Sequence, residues 1–178
     1  MIHDNVALIH EACRGDNVAF QKLLNSHYPM IYRVAYRFTG HQQDAEDIAQ
    51  EVCLLLVDKL ATYQNKGAFT TWLYRIVVNQ CRDAYKKRTL DRQRDKGYTE
   101  LNALETADAH EQHKKIQWLY RTVAHLRSPL KETALLVLAE GLSHAEVGEI
   151  LKCKESTISW RMHEIRKILT VAMEKEHA

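Results

Sequence analysis

What the chain has little of narrows the field first. Its 178 residues include only two prolines, Pro29 and Pro129, and six glycines. All-β sandwiches and barrels, with many tight turns, need more of both. No apolar run reaches the roughly 18 residues that a bilayer-spanning helix requires, so no membrane insertion is expected. The start, M-I-H-D-N-V-A-L-I-H-E, has acids and no cationic segment ahead of an apolar one, which is unlike a secretory signal. The cytoplasm is the expected location. The four cysteines (Cys13, Cys53, Cys81 and Cys153) form no C-x-x-C, and three lie in apolar helical patterns. That usage reads as buried, reduced thiols. His10 and Cys13 stand three apart, but no second pair completes a metal site, so neither metal nor cofactor is expected. No H-E-x-x-H, G-x-S-x-G or phosphate loop appears, so no enzyme is expected.

What is present points to helices. Apolar residues make up 46% of the chain and recur at helical spacing, which predicts an all-α protein of one ordinary or two small domains. The net charge of +2 hides strong segregation. From His41 to Leu60 five acids face one base, a balance of −4. From Arg82 to Lys96 seven bases face three acids, +4. From Gly97 to His113 there are four acids and no base, and from Leu151 to Lys167 five bases face two acids, +3. Two basic patches in separate halves, with an acidic helix, suit nucleic acid plus a protein partner.

Along the chain, a short helix from about Asn5 to Arg14 stops at Gly15-Asp16, and Asn17 is positioned to cap the next. Pro29 should kink that helix or begin another, and Thr39-Gly40 should end it. Tyr28, Tyr32 and Tyr36 fall at spacings of four and read as core. Asp44 opens the acidic helix with Asp47 three residues on. Ala45, Ile48, Val52, Leu55, Leu56 and Leu60 form its buried stripe, and Glu51 and Asp58 carry the acidic patch beyond the first turn.

From Gly67 to Arg88, Phe69, Trp72, Leu73, Ile76 and Gln80 or Cys81 share one side of a helix. Thr71, Arg75, Asn79, Arg82 and Lys86 form a polar stripe on another. The loop ahead of it, Tyr63-Gln64-Asn65-Lys66-Gly67, offers an aromatic and a cation to an unstacked base. A core helix with a solvated basic face is an equally open reading of this stretch. After Arg88 the apolar pattern fails, and Leu90 to His113 reads as a linker. Beyond it, Lys115 to Arg127 is helical, Pro129 opens a helix running to Gly141, and Ser143 with Glu146 makes a capping box. A short turn then leads to a last helix from Glu155 to about Met173, buried along Ile158, Met162, Ile165 and Leu169. Two short helices and a basic second one form a helix-turn-helix. Its outer face presents Ser156, Ser159, Trp160, His163 and Lys167, with Arg161 and Arg166 at the flanks.

At this point the order of motifs resembles a known family. D-A-E-D-I-A-Q-E-V (Asp44 to Val52), F-T-T-W-L-Y-R-I-V-V-N (Phe69 to Asn79), a basic end, a linker, and L-A-E-G-L-S-H-A-E-V-G-E-I-L with S-T-I-S-W-R-M-H-E-I-R-K look like a bacterial sigma factor of the extracytoplasmic-function (ECF) group, sigma-70 family. The resemblance implies an N-terminal domain over 1–90, a linker over 91–112 and a helix-turn-helix domain over 113–178. It implies that Asp44, Asp47, Gln50 and Glu51 meet the β′ clamp helices of core RNA polymerase, with the β subunit as a further contact. Tyr63, Gln64, Asn65, Lys66, Thr71, Arg75, Asn79 and Arg82 would capture the opened minus-ten strand, and Lys86, Lys87 and Arg88 would hold phosphates. Ser156, Thr157, Ser159, Trp160, Arg161, His163, Arg166 and Lys167 would read the minus-thirty-five element of promoter DNA. An anti-sigma factor is the implied inhibitor, with Trp160 and Met162 as candidate contacts. Lys152 stands where the family's turn often has Gly, Lys154 where Ser often caps the recognition helix, and Trp160 where a small residue is common. The alternative is an autonomous helix-turn-helix regulator whose N-terminal half senses a ligand or dimerises.

Overall fold

A computed structural model describes residues 6–64, 67–94 and 111–176, and the chain divides into two units, Met1–Leu101 and Asn102–Ala178. In the first unit α1 (Val6–Cys13) leads into α2 (Asn17–Thr39). Asp16, rather than Asn17, caps α2: its Oδ1 accepts from the backbone N–H groups of Val18 and Ala19 at 2.8 and 2.9 Å. A carboxylate one residue further out reaches the orphan amides of the first turn, and Asn17 becomes the first helical residue. Pro29 neither breaks α2 nor starts a new helix. Leu23 and His27 before it, and Met30, Ile31, Val34 and Ala35 after it, are all buried. Burial of the Leu23, Met30, Ile31 and Val34 side chains is worth about 1.5–3 kcal/mol each, which offsets the hydrogen bond that proline removes. Gly40 ends the helix in the left-handed region at φ 73°, its N–H donating to Tyr36 O at 2.8 Å.

The acidic helix α3 (Gln42–Lys59) begins two residues before Asp44, with His41 at its cap position. Ala45, Ile48, Ala49, Val52 and Leu56 pack inward, while Leu55 is only half-buried. A 3₁₀ turn, Leu60–Thr62, leads towards α4 (Phe69–Arg94). Helix α2 packs against α1, α3 and α4, and α3 against α4. The tyrosines of α2 are not core: Tyr28 is exposed, and Tyr32 and Tyr36 are half-buried and stack on each other with centroids 6.1 Å apart. They lie on the side of α2 opposite the buried row. Helix α4 continues past Leu90, built from Leu, Arg and Gln, which favour helix without tertiary support. Most of the expected linker, residues 95–110, lies outside the described residues.

In the second unit α5 (Glu111–Ala124) and α6 (Leu130–Ala134) precede a π turn over Leu135–Ala139. Helices α7 (His144–Leu151) and α8 (Glu155–Glu176) follow, packed on each other, and α8 also packs on α5 and α6. Ile158, Met162 and Ile165 on α8 are buried together with Val147 and Ile150 on α7. Met162, at 2% exposure, belongs to this core and is no partner contact. Cys81 alone among the cysteines is buried; Cys13, Cys53 and Cys153 are partly exposed. Partial burial still pushes the Cys13 and Cys53 thiols up, which disfavours the reactive thiolate.

Candidate nucleic-acid interface

In the first unit the site is built on an aromatic cluster. Phe69, 1% exposed, is met edge-on by Tyr63 at 5.3 Å and by His27 at 5.2 Å, while Trp72 lies tilted beside it at 5.4 Å. Edge-to-face rings at such distances add about 0.5–1.5 kcal/mol per pair beyond burial. The Tyr63 hydroxyl donates to Gly67 O at 2.6 Å, which closes the loop ahead of α4 on itself. Tyr63 is therefore a buttress as well as an aromatic wall, and Gln64 stands exposed next to it. Asn65 and Lys66 lie outside the described residues.

The polar stripe on α4 is more unequal than its spacing suggests. Thr71 is 8% exposed, because Thr71, Tyr74 and Val78 form a second buried row at spacings of three and four. Arg75 and Arg82 are half-buried, and Asn79 is exposed, its Oδ1 accepting from Arg82 Nη1 at 3.4 Å. Lys86 pairs with Asp83 at 3.5 Å, and Lys87 is exposed. Arg88 forms an ion pair with Asp44 at the start of α3. One expected phosphate contact and one expected polymerase contact thus hold each other. Tyr85, 72% exposed between Arg82 and Lys86, escaped sequence reading. The signal was present as an aromatic interleaved with cations.

On α3, Asp47, Gln50 and Glu51 are exposed as expected. Continuing the same outward row are Leu54 and Val57, 70% and 62% exposed. A protein surface that shows two adjacent large aliphatics ringed by acids has the make-up of an interface. Their helical spacing from Gln50 was the available signal.

In the second unit α7 begins with a complete capping box. Ser143 Oγ accepts from Glu146 N–H at 3.3 Å, and the Glu146 carboxylate accepts from the Ser143 hydroxyl at 2.6 Å and its N–H at 2.8 Å. The Ser143 hydroxyl first, and its N–H second, hold the Glu146 carboxyl below the ordinary carboxylate range. The turn to α8 has Lys152 in the left-handed region at φ 55°, where a glycine costs nothing and a lysine about 1–2 kcal/mol. A Cβ on Gly148 would lie 2.9 Å from Cys153 O, so only glycine lets α7 approach the turn this closely. Ser156, Ser159, Trp160, His163, Arg166 and Lys167 are exposed on α8, and Thr157 is half-buried. Lys167 pairs with Glu164 at 3.1 Å. Arg161 turns inward, its Nη1 3.5 Å from Thr133 Oγ1. Trp160 stands 61% exposed, and His144 Nδ1 lies 3.0 Å from Ser159 Oγ across the turn.

Comparison with known proteins gives the family of the chain. The Sigma-70 region 2 family matches residues 23–90, which span most of α2, all of α3 and most of α4. The chain is 25% identical over 178 residues to the RNA polymerase sigma-H factor of Pseudomonas aeruginosa, covering 94% of this chain and 92% of that one. It is 27% identical to the ECF RNA polymerase sigma factor SigW of Bacillus subtilis, covering 90% and 92%. It is 32% identical to the ECF sigma factor SigE of Mycolicibacterium smegmatis, covering 87% of this chain and 63% of that one. The fold is that of RpoE from Bartonella quintana, solved with the anti-sigma factor NepR (TM-score 0.72, 21% identity, 87% and 96% covered). It is equally that of CnrH, solved with the cytosolic domain of CnrY (TM-score 0.71, 20% identity, 95% and 96% covered). With both halves matched in order, the chain belongs to the sigma-70 family, in its extracytoplasmic-function group.

Proposed function

We propose that this protein is a dissociable promoter-specificity subunit that binds core RNA polymerase, directs it to particular promoters and helps open the minus-ten element. Polymerase performs the chemistry, and the protein itself is an initiation factor. One observation carries the reading: the Sigma-70 region 2 match falls on the helices that hold the acidic face and the aromatic-anchored polar stripe. Asp47, Gln50 and Glu51, extended by Leu54 and Val57, are the surface offered to the clamp helices of β′. Asn79, Arg75 and Arg82, beside the Tyr63 loop, take the unpaired strand. Lys86 and Lys87 neutralise its phosphates. A base pulled from the stack costs a few kcal/mol, which such contacts offset. In the second unit, α8 enters the major groove of the minus-thirty-five element through Ser156, Ser159, Trp160, His163, Arg166 and Lys167. The relatives solved with CnrY and NepR support an anti-sigma partner for this chain as well, with exposed Trp160 among its contacts. The working compartment is the one that holds the chromosome and polymerase, the cytoplasm.

Run-off transcription with core polymerase on a promoter library tests the reading. Promoter-specific starts should appear only when the protein is added, and the free protein should bind duplex weakly. Indifference of core enzyme on every template, or tight binding of the free protein to a palindrome as a dimer, overturns it.

A further inference from the structure

The recognition helix carries one exposed hydroxyl that is held in place from outside the helix. Ser159 lies on the solvent face of α8, and its Oγ is 3.0 Å from His144 Nδ1. His144 is the first residue of α7, immediately after the cap Ser143. The capping box fixes the backbone of that turn, so the imidazole is aimed across the turn at α8 from a residue outside that helix. Gly148 and the Cys153 carbonyl fix the approach of α7 to the turn from below.

We propose that His144 is a positioning residue that makes Ser159 a specificity-determining acceptor for an exocyclic amino group of a minus-thirty-five base. The proposal rests on the function assigned above. A serine hydroxyl is both donor and acceptor and rotates freely among three rotamers, so alone it discriminates poorly between base edges. An imidazole with its proton on Nε2 accepts the Ser159 proton at Nδ1. The oxygen is then held in one rotamer with its lone pairs facing outward. In the major groove such an acceptor matches the N6 amine of adenine or the N4 amine of cytosine, and mismatches the O6 of guanine and O4 of thymine. The ordering of the side chain is complete before DNA arrives, which lowers the entropic cost of the contact.

The test measures transcription by the holoenzyme from a library randomised over the minus-thirty-five element. Ser159→Ala identifies the base pair that Ser159 reads, as the position whose preference for an amine-bearing base relaxes, by about fivefold for one hydrogen bond. His144→Ala should relax the same position by a similar factor, and should do nothing further in the Ser159→Ala background. His144→Asn, whose amide reaches much the same point as Nδ1, should restore most of the preference. Thermal unfolding of both His144 variants should match wild type, which separates positioning from folding. A uniform loss across all sequences in His144→Ala, or an unchanged preference at the Ser159 position, overturns the inference and leaves the sigma-factor reading standing. A wild-type profile that is flat over the whole upstream element overturns both.

Discussion

Helices α4 and α8, 26 and 22 residues long and both proposed to face DNA, hold their polar side chains in opposite ways. Around its middle α4 is enclosed on most sides. Phe69, Leu73, Tyr74, Ile76, Val77 and Val78 are all buried, and Arg75 between them is half-covered. Helix α8 is fully buried along one row only, Ile158, Met162 and Ile165, is half-buried at the flanks of that row, and shows the opposite face to solvent. The difference suits two tasks. A strand to be kept out of its duplex needs a wall that does not yield, and packing supplies that stiffness. A duplex to be read in its groove needs side chains that stand clear of the protein surface.

The largest effect expected from breaking this contrast is at Phe69. Phe69→Ala should destabilise the first unit by about 4 kcal/mol, since a fully buried ring is lost together with its contacts to Tyr63, His27 and Trp72. Chemical denaturation would read it. Trp160→Ala is its opposite on α8: stability should stay within about 0.5 kcal/mol of wild type, while minus-thirty-five-dependent transcription falls about tenfold, the scale of one good groove contact. A large stability loss at Trp160 would erase the distinction between the two helices. At the start of α7, Ser143→Ala should cost about 1 kcal/mol at neutral pH. Because the Glu146 carboxyl is depressed in the folded state, its contribution is present above the unfolded carboxylate value, about 4.3. That contribution is lost as pH falls through the folded value. The gap between wild type and Ser143→Ala in thermal melts should therefore narrow in acid. The smallest stability effect is at Asn79, exposed next to the enclosed middle of α4. Asn79→Ala should impair promoter opening with polymerase binding intact and unfolding unchanged. Arg75→Ala, half-buried, should impair opening and also lower the unfolding midpoint.

Periodicity revealed the helices and most of the core, because the buried rows of α3 and α8 follow a single 3.6-residue stripe. It failed where a helix has two buried rows. Thr71 was assigned to the polar face although Tyr74 and Val78 continue its line inward. Periodicity was silent on Leu54 and Val57, which it left off the buried stripe of α3 without marking them as surface, and it placed Leu55 in that stripe although Leu55 is only half-buried. The Arg88–Asp44 and His144–Ser159 contacts span 44 and 15 residues and depend on how helices pack, which no local spacing encodes. The capping box and helices α7 and α8 of the second unit were legible for the converse reason: cap, turn and α8 are contiguous, and their chemistry is local.

The missing side chain at position 148 has a wider meaning for the second unit. Where α7 meets the carbonyl of Cys153, main chain touches main chain at the one Cα that has nothing to add. At this point the elbow between the two helices is held by peptide geometry, beneath the buried side chains of its core. The outer residues of α8 are in effect interchangeable bits in a fixed handle. Rewriting them should redirect the protein to new promoters without re-aiming the helix that carries them.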